Sequence, residues 1–325
     1  MTATRSSLLF IGFNAVLAAT ALVTAFGAEY PVRPIRMVVP FTPGGGADII
    51  ARVLGQHLGN VFEQNFIIDN RAGGNTVIGS EIVAKARPDG YTLLMQINTL
   101  TALPAMVKDG KGTISLDEFS PVSLVALLPH VLVVHRSVPA ASVAELVALA
   151  KAAPGNLNYG SPGAGSAVHL ASALFASMAG IELVHVPYKG AAEYMAGVLG
   201  NHVQIVFGSA PTAIPHVRSG ALKALGVTTA RRIPQLPGVP TIAESGFAGY
   251  DIASWYGILA PARTPNDIVT RLAKEIGAAA KTRTFADALP DYELIGSTPA
   301  AFAEFLRKDT EVSARIIAQS GAKAN

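Results

Sequence analysis

Two junctions of one design recur in this chain: a short apolar strand runs into a glycine-rich loop that opens an amphipathic helix. The first comprises Ile35–Val39, then Pro40-Phe41-Thr42-Pro43-Gly44-Gly45-Gly46, then a helix from about Ala47. The second comprises Leu157-Asn158-Tyr159, then Gly160-Ser161-Pro162-Gly163-Ala164-Gly165-Ser166, then a helix from about Ala167. Such a turn leaves the first backbone N–H groups of a helix without intrahelical partners, and glycine lets a ligand approach them. The helix macrodipole adds partial positive charge at the same point. One such turn is equally well a plain βα connection; two of them predict a pair of jaws for an anion.

The rest of the chain follows the same alternation. Strands are expected at Ile35–Val39, Phe66–Asp69, Thr92–Gln96, Val131–His135, Val203–Phe207, Ala224–Thr228 and Ser254–Leu259, the last holding the single tryptophan, Trp255. They are short, apolar and bounded by Gly, Pro, Asn or Asp, the pattern of buried parallel strands. Ile49, Ile50, Val53, Leu54 and Leu58 share one helical face, as do Leu170, Leu174, Phe175 and Met178. Ser142 followed by Glu145 reads as a capping box for a helix over Ser142–Ala152. Two more helices are expected over Ile268–Ala280 and Pro299–Ser320, the second with proline just inside its start. Alternating strands and helices imply βαβ units and an α/β fold. Pro121-Val122-Ser123 and Pro129-His130 frame a strand-like crossing out of a first lobe. Pro234, Pro237 and Pro240 mark a loop before Gly246–Asp251, a candidate for the return.

The first 28 residues carry one charge, Arg5, ahead of an apolar run from Leu8 to Ala25 that ends in small residues. That is the build of a cleaved secretory leader, with cleavage expected after Gly27. Loss of such a leader takes Arg5 alone from the 25 basic residues, leaving 24 against 22 acidic ones, about +2, with the basic residues scattered. No nucleic-acid stripe or polybasic membrane patch results. Cysteine is absent, which removes disulfides, thiol catalysis and thiolate metal sites. No cofactor is implied, and the histidines show no HExxH spacing, with His130 and His135 an odd number apart on one strand.

Three constellations carry candidate chemistry. In the first loop Phe41, Thr42, Pro43, Gly44 and Gly45 would meet an anion, and Asp48 is read as a helix cap or an acceptor for a ligand amine. In the second, Ser161, Gly163, Gly165, Ser166 and His169 offer N–H groups, hydroxyls and an imidazole. A serine hydrolase using Ser161 or Ser166 with His169 is the rival reading, without a Gly-x-Ser-x-Gly elbow to support it. In the third, Tyr188 and Lys189 close the strand Val184–Pro187, and Gly208-Ser209 close another. Neither a P-loop nor a dinucleotide fingerprint is present, since no Gly-Lys-Ser/Thr follows the first loop and Val168 stands where a third glycine belongs.

These residues resemble the Bug family, the periplasmic receptors of tripartite tricarboxylate transporters. The match runs through Tyr30-Pro31, Arg33-Pro34-Ile35, Pro40-Phe41, Gly44-Gly45, Asp48, Ala51-Arg52, Asn70-Arg71 and Pro88-Asp89-Gly90-Tyr91-Thr92-Leu93-Leu94. It continues through Phe119-Ser120-Pro121-Val122, Asn158-Tyr159, Ser161, His169-Leu170, His185-Val186-Pro187-Tyr188-Lys189-Gly190, Pro240-Thr241, Glu244, Gly246, Trp255-Tyr256-Gly257 and Ser297-Thr298-Pro299. The resemblance implies a two-lobed periplasmic-binding-protein fold of type II, a Venus flytrap. Lobe 1 would take 28–128 and 250–325, and lobe 2 would take 129–249. It implies a monomer in the periplasm that holds a small carboxylate in a pincer of the two glycine loops. Its partners would be integral membrane transporter subunits, or, in a sensory variant, a signalling partner. The chain departs from the family pattern at Gly73–Gly79, a local difference, and at Leu103-Pro104 and Gly208. The last two, with Asn98, Tyr188 and Lys189, are expected to bear on which acid is bound.

Overall fold

Every residue of β1 (Ile35–Val39) except Arg36 is buried, and the strand pairs in parallel on both sides. A strand covered on both faces needs no polar alternation, so its apolar run is continuous. The computed structural model describes residues 30–107 and 113–320; the expected leader, 1–27, lies outside them. After β1 come α1 (Gly46–Phe62), β2 (Phe66–Asn70), α2 (Val77–Ala84), β3 (Thr92–Gln96), α3 (Thr99–Met106) and β4 (Phe119–His135). Then follow α4 (Val143–Ala152), β5 (Asn158–Ser161), α5 (Ala167–Ala179), β6 (Val184–Pro187), α6 (Ala191–Leu199), β7 (Ile205–Ser209), α7 (Ala210–Arg218) and β8 (Leu222–Val227). The chain ends through β9 (Ala253–Pro261), α8 (Asn266–Ala279), α9 (Arg283–Ala288), β10 (Glu293–Leu294) and α10 (Pro299–Ser320). None of the described helices is long and apolar enough to cross a membrane.

The strands order as β2-β1-β3-β9-β4-β7-β5-β6, with β8 and β10 both on β4. β1, β2 and β3 run parallel, as do β5, β6 and β7, whereas β4 and β9 run against their neighbours. β4 joins the two parallel groups. From Phe119 to Pro129 it pairs with β9, and from His130 onward with β7, with β8 joining from Val131.

The sequence predicts a strand over Val131–His135 and a strand-like crossing framed by Pro121-Val122-Ser123 and Pro129-His130; the two form one strand, β4, of 17 residues. Its prolines are accommodated because they sit where the ladder is interrupted. The register against β9 shifts between Pro121 and Ser123, and Pro129 stands at the change of partner, where a missing N–H costs least. β9 starts just beyond the Gly246–Asp251 segment.

Two apolar cores flank this junction. One gathers Val38, Leu94, Leu124, Trp255 and Leu259; the other gathers Val131–Val134, Phe175, Ile205 and Phe207. α10 contributes to both, Phe302 and Leu306 to the first and Ile316 and Ile317 to the second. The cap of α4 is as expected, Ser142 Oγ accepting from Glu145 N at 3.2 Å. The Glu145 carboxylate reaches back to Ala141 N (2.7 Å) instead of Ser142.

Candidate functional site

Both glycine loops lie at the carboxyl ends of parallel strands, the first after β1 and the second after β5, the edge where open α/β sheets bind ligands. In the first, Gly44 takes φ +85°, which a side chain would resist, and Gly45 precedes α1 as a cap residue without a side-chain cap. Thr42, Pro43, Gly44 and Gly45 form an exposed rim, with Phe41 half-buried behind them.

Asp48 is turned onto the loop itself. Its Oδ2 accepts from Gly44 N (2.9 Å) and Arg52 Nε (2.9 Å), and its Oδ1 accepts from Asn70 Nδ2 (3.0 Å), which also donates to Phe41 O (3.1 Å). Burial pushes this carboxyl up, but hydrogen bonds from Arg52, Gly44 and Asn70 outweigh it and hold the group below the usual carboxylate range. The expectation that Asp48 accepts a ligand amine is therefore corrected: both oxygens are engaged, and its work is to fix the loop. The wall beside this loop is phenolic. A Cβ on Gly46 would stand 2.6 Å from Tyr256 Oη and 3.1 Å from Tyr292 Oη.

The second loop is a self-bonded nest. Gly163 and Gly165 take φ +116° and +75°. Ser161 Oγ accepts from Gly163 N (3.1 Å), Ser166 Oγ donates to Gly163 O (2.7 Å), and Ser166 caps α5 by accepting from His169 N (3.2 Å). Gly165 N donates to His169 Nδ1 at 3.4 Å, which leaves the proton of a neutral His169 on Nε2. Burial, then the neighbouring His185, lowers the His169 pKa to about 4. His185 was not among the expected site residues, yet its Nε2 lies 2.7 Å from Ser161 Oγ and its ring stacks on Tyr159 with centroids 4.9 Å apart. Its place in the quoted run His185-Val186-Pro187-Tyr188 was the available signal. α3 reaches this loop: Met106, which shares a core with Tyr159 and Leu170, places its Sδ 2.5 Å from where a Gly165 Cβ would sit.

The residues expected to choose the ligand divide differently. Asn98 is buried, and its amide spans β9, donating to Ala253 O (3.2 Å) and accepting from Trp255 N (3.1 Å). Tyr188 lies over Gly160 and Gly197, close enough that a Cβ on either would meet its ring or hydroxyl. Lys189 is exposed, with its backbone N–H on Glu193 Oε2 (3.1 Å). Gly208 faces Met195 and Ala213, where a side chain would be crowded at 3.3–3.4 Å. Asn98, Tyr188 and Gly208 are held by bonding and packing within the fold, whereas the Lys189 side chain stands at the surface. Ser209 instead joins a hydroxyl group with Thr212 (Oγ–Oγ1 2.8 Å) and the buried Tyr194. The rings of Tyr256 and Tyr292 meet edge-on with centroids 5.6 Å apart, and burial, then Tyr292 and Tyr194 nearby, raise the Tyr256 pKa. The described residues contain no group of three or more His, Cys, Asp or Glu arranged for a metal ion.

The model of the tripartite tricarboxylate transporter family receptor (TctC) matches residues 50–321. A protein from the tcbD-tcbE intergenic region of Pseudomonas sp. strain P51 is 36% identical, covering 97% of this chain and 96% of its own. Protein BugT of Bordetella pertussis is 32% identical over 90% of this chain and 91% of its own. Among solved structures, Rpa4515 of R. palustris with adipate is 34% identical, with a TM-score of 0.79 over 91% of this chain and 99% of that one.

Proposed function

This chain belongs to the tripartite tricarboxylate transporter receptor family, and we propose that it captures one carboxylate of a small organic acid between the Gly44–Gly46 and Gly163–Ser166 loops. The observation that carries this reading is that two glycine-opened helix starts stand at the carboxyl ends of β1 and β5, strands that run in opposite senses on either side of β9 and β4, while Asp48 in the first turn of α1 is bonded back onto its loop. The junction of β4 and β9 then serves as the hinge, with lobe 1 over 28–128 and 250–325 and lobe 2 over 129–249. A ligand held from both sides favours the closed arrangement, which membrane subunits of the transporter would recognise. The leader through Gly27 would deliver the chain to the periplasm, where the receptors of this family act.

Micromolar capture requires about 8 kcal/mol. Hydrogen bonds to a charged group contribute about 1.5–3 kcal/mol each, and a partly buried helix end adds up to about 2. Several donors from two jaws reach that sum after association costs of several kcal/mol. No arginine clamp is needed, and Arg52 is occupied by Asp48.

The Ser161–His185 contact does not amount to a hydrolase. Ser161 Oγ also serves Gly163, and no carboxylate among the described residues bonds His185 to orient it. The chain is read as a receptor and not an enzyme. Gly45→Asp tests the site: a Cβ there would meet only Thr42 O, at 3.7 Å, so the variant folds. An acid at the first jaw is expected to abolish binding of adipate and shorter carboxylates by calorimetry. Unchanged affinity in the folded variant would refute the pincer.

A further inference from the structure

The side of Gly165 on which a Cβ would stand is closed by α3. Met106 Sδ and Cε lie 2.5 and 3.3 Å from that position, and Ala102 Cβ lies 3.8 Å from it. Adding one carbon–carbon bond puts the sulfur within about 4 Å of Gly165 Cα, in van der Waals contact. Both residues are buried. The contact falls where the second loop holds itself least. At the Ser161 end its bonds are 2.7–3.2 Å long, Ser161 Oγ and Ser166 Oγ donating to Gly163 O and Gly163 N donating to Ser161 Oγ. At the other end Gly165 N reaches His169 Nδ1, and Ser166 N reaches Gly163 O, only at 3.4 Å, longer than a normal N–H bond. Gly165, at φ +75°, also has a glycine's backbone freedom, so its place depends on a hold from outside the loop.

α3 supplies that hold from a fixed root. Asn98, the residue before it, donates to Ala253 O and accepts from Trp255 N, and Ala253 is in register with Pro129, where β4 changes partner. Three residues on, Thr101 Oγ1 donates to Asp309 Oδ2 (2.5 Å), the oxygen that also accepts from Trp255 Nε1, so α3 is tied to α10 and β9 at once. Leu100 packs in the first core, and Ala102 and Met106 pack in the second. Pro104 locks one φ of the last turn. From Asn98 to Met106 is about 12 Å at the helical rise of 1.5 Å per residue. A helix this short, bonded at its root and again at its middle, delivers its tip to one place.

We propose that α3 is a strut and Met106 a positioning residue for carboxylate capture: the thioether holds Gly165, and through it the cap Ser166 and the first amides of α5, in the form that receives the anion. This rests on the pincer reading of the two loops. The root of the strut lies at the β4–β9 junction, the pivot in that reading, so its tip stays on Gly165 whether the lobes are open or closed. The second jaw is then formed before the ligand arrives, which spares the ordering cost that a loose loop would add to binding.

Two measurements test this. The first needs no variant: with carbon-13 at the methionine methyls, the Met106 methyl should show a nuclear Overhauser contact to the Gly165 Cα hydrogens. It should do so both without ligand and when saturated with the tightest-binding straight-chain mono- or dicarboxylic acid of three to six carbons. The second is calorimetry with the same acids. Met106→Ala is expected to bind at least tenfold more weakly than the parent, and Met106→Leu, which keeps the volume, within threefold of it. Leu146→Ala opens a cavity in the same core from α4 and controls for lost stability; its affinity should stay within twofold. A contact missing in either state, Met106→Ala binding within threefold of the parent, or Leu146→Ala losing as much as Met106→Ala overturns the strut and leaves the pincer standing. A parent protein that binds none of these acids overturns the pincer, and the strut with it.

Discussion

The hydroxyl of Tyr256 fills the space that any side chain on Gly46 would enter, 2.6 Å from a Cβ built there. A rigid, buried phenol from β9 thus sets the residue allowed at the first helical position of α1, more than 200 positions earlier in the chain.

Gly46→Ala should accordingly destabilise the protein by about 1–3 kcal/mol through overpacking, despite the ~1 kcal/mol that alanine gains over glycine in a helix. Tyr256→Phe removes the offending oxygen. The double variant, unfolded in urea beside both single ones, is expected to recover at least about 1 kcal/mol; strictly additive losses would show that the phenol is not the obstacle.

Asp48→Asn keeps the shape of the loop clasp but discards its charge. Carboxylate affinity should fall about tenfold, equivalent to ~1.4 kcal/mol, because Gly44 and Arg52 lose a charge-assisted acceptor. The folded Asp48 pKa lies below its unfolded value, so its contribution is present above pH 4 and is lost as pH falls through the folded value. Acid titration of stability should be shallower below pH 4 in the variant; an identical acid limb would contradict the assignment.

His169 titrates with the opposite charge. Its folded pKa of about 4 lies below the unfolded 6.5, so the folded state favours the neutral ring. That contribution is complete above pH 6.5 and is lost, on the order of 3 kcal/mol, as pH falls towards 4. His130 adds a second dependence in the same window. His169→Asn retains an acceptor for Gly165 N and should flatten, without abolishing, the decline in melting temperature between pH 6.5 and 4. A decline as steep as that of the parent protein would rule His169 out as a source.

Asp309 on α10 accepts Trp255 Nε1 (2.8 Å) and Thr101 Oγ1 (2.5 Å) on one oxygen, and burial raises its pKa. A raised carboxyl pKa subtracts stability as pH climbs above the unfolded value, since ionisation is disfavoured in the folded state. Asp309→Asn preserves an acceptor for both donors without a charge. It is expected to raise the melting temperature at pH 7.5 by a few degrees and to change it less at pH 4. A loss of stability at pH 7.5 would mean that the charge is satisfied.

Local structure is legible in the sequence where one physical effect governs. β1, β3 and α10 fall on their expected limits, because a doubly covered strand is uniformly apolar and a proline fixes a helix start. The glycine loops were legible for the same reason. The failures lie in long-range pairing. Asn98 reads as a ligand contact, a polar residue at a strand end, and nothing nearby in the chain reveals that its amide also bonds Ala253 and Trp255, more than 150 residues away. His130 was considered only as a metal ligand, and nothing nearby in the chain announces that Ser254 would occupy one of its nitrogens and leave the other bare. The prolines of β4 frame a crossing in the sequence, but that this crossing and Val131–His135 are one strand is set by pairing with β9, β7 and β8.

The place of β9 has a consequence in time. It stands between β3 and β4 and supplies the register for both, yet it is made only after some 250 residues have preceded it. Until Ala253–Pro261 arrives, β3 and β4 each lack a neighbour, Trp255 is missing from its core, and α10, which seals both cores, does not yet exist. An emerging chain of this order stays open until nearly all of it has been synthesised. Pairing across so long a sequence separation is also slow. Export by the leader proposed above would gain from both delays.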